Sequence, residues 1–97
     1  MLYTFKSKAD SDLFMNQGPA ERILTIIGKE PGARGIIEPA AIPEAIARLQ
    51  AAVDDEDRLR AQQGAVARGI TLHQRAWPFL QLLRRSLDAD EPVVWGV

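Results

Sequence analysis

Apolar positions recur at helical spacing in three stretches of this chain and alternate in the shorter stretches around them. The most regular run is Leu72, Ala76, Phe79, Leu80, Leu83 and Leu87, spaced i, i+4, i+7, i+8, i+11 and i+15, one stripe along a helix. Thr71 with Gln74 three positions later reads as a capping box at its start, and Arg84 and Arg85 suit its negative end. Pro78 removes a backbone donor and presses on the carbonyl of Gln74, which predicts a bend. The segment Pro92 to Val97 follows as a short strand packed near that helix.

The other two helical stretches are less regular. Pro19 suits the first turn of a helix whose inner face is Ala20, Ile23, Leu24 and Ile27, and Gly28 and Pro31 stop it. Ile42, Ile46, Leu49 and Val53 mark a second inner face, entered through Pro43 and Glu44. On that helix Asp54–Arg58 and Glu56–Arg60 have the spacing of acid-before-base pairs. Beyond Leu59 the stripe fades, and Arg60 to Gly69 reads as a polar connection.

Alternation replaces helical spacing near the start. Leu2 to Ser7 puts Tyr3 and Phe5 on one face and Thr4 and Lys6 on the other. With turn-rich Lys8 to Asp12 and the apolar triplet Leu13 to Met15, this predicts a hairpin. Gly35 to Glu38 gives a brief buried strand. The expected fold is α+β: one small domain over residues 1–97, with about four short strands in a layer covered by about three helices.

Composition narrows what such a fold can do. Twelve basic and thirteen acidic residues are spread evenly over both halves, which disfavours a nucleic-acid or anionic-membrane binder. The absence of cysteine excludes disulfides, thiolate catalysis and Cys-type zinc sites. No apolar stretch is long enough for a signal peptide or a membrane span, so the cytoplasm is the expected compartment. A chain of 97 residues has one core and little to spare for a deep enclosed cavity.

Four groups of residues carry candidate chemistry. Gly28, Lys29, Gly32, Arg34 and Gly35 form a loop with three glycines, Pro31 and two cations, a composition able to present backbone N–H groups to an anion. The loop lacks the phosphate-loop pattern and runs from helix to strand, so a helix cap followed by a tight turn is the favoured reading and an anion site the alternative. His73 has no acidic neighbour in sequence and no nucleophile motif, which points to a solvent-facing residue. The acidic run Asp54 to Asp57 lacks the spacing of a calcium loop and reads as a solvated helix face. Trp77 and Trp95 are open to two readings, core packing or a contact with a partner or second subunit. Trp95 lies with Val93 in the terminal strand, which would pair readily with another chain if it formed a sheet edge.

Four blocks in order also resemble a known family. Met1 to Lys8, Gly28 to Pro31 with Gly35 to Pro39, Gln74 to Pro78, and Glu91 to Val97 are similar to a family of short, mostly proteobacterial proteins grouped as a domain of unknown function. The resemblance spans nearly the whole chain and implies a single bacterial domain with no assigned activity. No cofactor or metal is implied.

Two functional classes follow. The first is a non-catalytic protein-interaction or self-associating module, contacting an unknown protein partner or forming a homo-oligomer through Trp77, Val93 and Trp95. The second is a small anion- or metabolite-binding protein, or an enzyme, built on the Gly28–Gly35 loop with help from Lys6 or Lys8. It requires Lys6, Lys8, Lys29 and Arg34 to converge.

Overall fold

A computed structural model describes residues 2–32, 34–63 and 71–96. In chain order they form strands β1 (Leu2–Ser7) and β2 (Asp10–Asn16), helix α1 (Gln17–Ile26), strand β3 (Gly35–Ile37), a 3-10 turn (Pro39–Ala41), helices α2 (Ile42–Gln63) and α3 (Leu72–Asp88), and strand β4 (Val93–Trp95). The architecture is α+β, with the four strands in one antiparallel sheet of order β2-β1-β4-β3. The two ends of the chain therefore meet in adjacent strands, Phe5 opposite Trp95 and Lys6 opposite Val94.

Alternation along β1 decides which face is covered. Tyr3 and Phe5 are buried, as are Met15 on β2, Ile37 on β3, and Val93 and Trp95 on β4. The three helices lie over this face. Phe5 is at the centre: its ring meets Phe79 of α3 edge-on at 4.9 Å and Trp95 at 5.8 Å, a geometry that suits aromatic quadrupoles. Leu72, Ala76, Phe79, Leu80 and Leu83 are all buried, so the stripe read from the sequence is the one the sheet covers. Its last member is different. Leu87 is exposed, and Ser86 occupies the inward position, its hydroxyl 2.8 Å from the Ser7 hydroxyl and donating to the Leu82 carbonyl at 2.7 Å. A small polar residue lets the end of α3 approach β1 where a leucine would not fit.

The helix ends follow the local chemistry. At the start of α3 the Thr71 hydroxyl accepts from the Gln74 backbone N–H at 3.2 Å, and the Gln74 side-chain Oε1 accepts from the Thr71 N–H at 2.9 Å. Helix α1 closes through Gly28 at φ 87°, with Gly28 N–H on the Thr25 carbonyl and Lys29 N–H on the Leu24 carbonyl. Helix α3 closes the same way, but with Asp90 at φ 56° in the position that glycine favours.

Several sequence expectations need correction. The terminal strand is not an edge: β4 lies between β1 and β3, and Val93 and Trp95 face the core. Strand order is a product of long-range pairing, which a local pattern does not carry. Helix α1 begins at Gln17, two residues before Pro19, and α2 continues through Arg60 to Gln63 instead of ending at Leu59. The rest of the expected polar connection, residues 64–70, lies outside the described residues. Neither expected pair, Asp54–Arg58 or Glu56–Arg60, forms. Arg58 instead meets Asp55, Asp54 accepts from Gln50, and Glu56 reaches across to Arg22.

Candidate functional site

Of the three residues proposed as a contact surface, only Trp77 is on the surface. Val93 is fully buried and Trp95 is 2% exposed, so neither can meet a partner while the chain is folded. Trp77 is 54% exposed on the outer side of α3. The indole N–H of Trp95 has no acceptor among the described residues, which carries a desolvation cost.

Around Trp77 the sheet and helix leave a cleft. Strand β2 is the outer strand of the sheet; one side pairs with β1 and the other carries no strand among the described residues. Helix α3 runs beside that free edge, and two shallow hollows lie in line between them. One, of about 300 Å³, is lined by Leu13, Phe14, Met15, Gln74, Arg75 and Pro78. The other, of about 340 Å³, extends from Asp10, Ser11, Asp12 and Leu13 on β2 to Trp77, Pro78, Gln81 and Arg85 on α3. Leu13 and Pro78 belong to both, so the cleft is one feature with its middle at Leu13.

Charge is unevenly placed along this cleft. Asp10 accepts from the Ser11 N–H at 2.7 Å and from Arg85 at 2.8 Å, and these bonds hold its carboxyl below the usual aspartate range. Asp12 at the same end and Arg75 at the other have no ion-pair partner among the described residues. Phe14, 60% exposed on this edge strand, projects from the uncovered face of the sheet, the face that also carries Leu2 on β1 and Ile36 on the far strand β3. Sequence alternation hinted at β2, but its place at the rim depended on the strand order. Neither the free edge nor the roles of Asp12 and Arg75 were legible without it.

Two of the glycines in the Gly28–Gly35 loop have structural roles. Gly28 is the left-handed cap of α1, and its cation neighbour Lys29 supplies a backbone N–H to the same cap. Gly35 lies under Trp95: three atoms of the indole would fall within 2.8 Å of a side-chain carbon placed there. Gly32 has open space around it, and Arg34 is exposed. Lys6 and Lys8 line a separate shallow hollow with Ser7, Glu91, Pro92 and Val94; neither Lys29 nor Arg34 belongs to it.

The remaining polar groups tie elements together. Antiparallel packing of α2 on α3 brings Asp57 to His73, with the carboxylate 2.8 Å from Nδ1 on the surface. Glu56 bonds Arg22 of α1 at 3.0 Å and the Leu72 N–H of α3 at 3.1 Å. Burial works against its charge, but these bonds prevail and hold its pKa below the usual value. Tyr3 is shifted the other way, raised first by burial and then by donating to Glu21 at 2.9 Å. Among the described residues there is no cluster of three or more metal-ligating side chains, and no helix is long and apolar enough to cross a membrane.

A family model described as Domain of unknown function (DUF1840) matches residues 1–95. No curated protein and no solved structure gives a significant match.

Proposed function

The chain belongs to that family, whose description names no chemistry, and from its surface we propose that it is a non-catalytic bacterial protein-contact module that associates with itself. The observation that carries this reading is Trp77, a large aromatic left half in solvent beside an unpaired strand edge. Tryptophan delivers more contact energy per residue than almost any other side chain, and an exposed one in a cleft has most of that still to gain. Pro78 supports the same reading. A proline inside a helix costs up to ~3 kcal/mol relative to alanine, and here it stands exposed in the middle of the cleft. A residue that lowers stability at an exposed position is consistent with one retained for contact.

The two tryptophans supply the test. Trp95 is shielded in the core and Trp77 is open, so acrylamide quenching of the intrinsic fluorescence reads Trp77 selectively. Self-association through the cleft makes the quenchable fraction fall as protein concentration rises, and Trp77→Ser abolishes that concentration dependence. An open, equally quenched Trp77 at every concentration would remove the reading.

A further inference from the structure

Resting on the reading that the β2–α3 cleft is a contact surface, we infer that its occupant is the β2 strand of a second copy, added antiparallel about a two-fold axis at Leu13. Three observations converge on this occupant. The first is the edge itself. A strand presents half its backbone N–H and C=O groups to each side, and the outer side of β2 has no protein partner among the described residues. Another extended strand satisfies those groups in register, the same mode by which peptides add to sheet edges. The opposite edge, β3, has only three residues to offer, against seven in β2.

The second observation is symmetry. The two hollows flank Leu13, the middle residue of β2, and both include Leu13 and Pro78. A two-fold axis at Leu13 sets the Asp12 end of each copy's cleft against the Arg75 end of the other, so that the same contact is made twice.

The third is charge. Asp12 and Arg75 sit at opposite ends of the cleft without partners among the described residues. Antiparallel pairing about Leu13 sets Asp12 of each copy opposite Phe14 of the second copy, at the end where that copy's Arg75 lies. The contact is made twice. A parallel arrangement instead sets Asp10 and Asp12 against the same residues of the second copy, a like-charge contact that disfavours it.

Charge reversal with sedimentation equilibrium on the full chain decides the matter. Asp12 is exposed and Arg75 partly exposed, so Asp12→Arg and Arg75→Glu are expected to keep the fold, checked by far-ultraviolet circular dichroism. Each variant alone weakens dimerisation by at least about tenfold, because like charges then face each other twice. An equimolar mixture of the two restores the dimer, since both contacts across a mixed pair are again acid to base. A wild-type chain that is monomeric at all concentrations overturns this inference and the contact reading together. A dimer weakened by Trp77→Ser but indifferent to both charge reversals overturns the paired-strand occupant and leaves the contact reading standing. A dimer indifferent to all three substitutions overturns both.

Discussion

The indole of Trp95 lies against Gly35, close enough that a β-carbon there would clash with its ring. The pair explains why the third glycine of the loop is a glycine, and the reason is packing. Adding a methyl group there must displace a 2%-exposed tryptophan that also packs on Phe5. Gly35→Ala is expected to destabilise the fold by about 1–3 kcal/mol, read from urea unfolding. Gly32→Ala in the same loop meets open space and should stay within about 0.5 kcal/mol of wild type. Equal effects at the two positions would refute the packing explanation.

Glu56 gives a prediction in pH. Its folded pKa is depressed by Arg22 and the Leu72 N–H against the opposing effect of burial, so the carboxylate binds a proton more readily when the chain is unfolded. Its contribution is therefore present above the unfolded pKa and lost as pH falls through the folded one. Glu56→Gln should cost about 1–2 kcal/mol near neutrality, a charge-assisted bond between helices being exchanged for a weaker one. The gap between variant and wild type should close as urea titrations are taken into the acid range. A gap independent of pH would mean that the charge on Glu56 contributes nothing.

Asp90 offers a gain. It occupies the left-handed position that closes α3, at φ 56°, where a β-carbon is strained. Asp90→Gly should raise stability by about 0.5–1 kcal/mol despite the extra freedom glycine has in the unfolded chain. Thermal melts of the two proteins check the sign.

At Pro78 contact and stability pull apart. Pro78→Ala restores a backbone donor to an exposed stretch of α3 and should stabilise the monomer by about 1–3 kcal/mol. In the same protein it should weaken self-association, because the side chain at the middle of the cleft is lost. Unfolding and sedimentation measured together separate the two effects, and a variant that gained stability without losing association would take Pro78 out of the contact.

These particulars show where the sequence was informative. Thr71 and Gln74 bond as their spacing implied, and the stripe from Leu72 to Leu83 is the covered face, because caps and helical periodicity are properties of neighbours in sequence. Partnerships between distant residues were not legible. Glu56 had a local cation at Arg60 and took Arg22, 34 positions away, because α1 and α2 pack together. Trp95 was open to core packing or to a place at a sheet edge, and it is an inner residue because Phe5 and Gly35 pair on either side of it. The candidate site follows the same rule. Trp77 could be named in advance as off the stripe, while the free edge of β2 exists only once the order of all four strands is fixed.

The β2 edge itself allows the most direct measurement. Amide hydrogen exchange followed at low and high protein concentration reports whether the outward N–H groups of β2 acquire partners. Pairing of β2 with a second copy predicts that exchange across Asp10–Asn16 slows as concentration rises, while Gly35–Ile37 at the opposite edge is unchanged. Exchange in β2 that is the same at every concentration, in a chain whose Trp77 stays open, would contradict it.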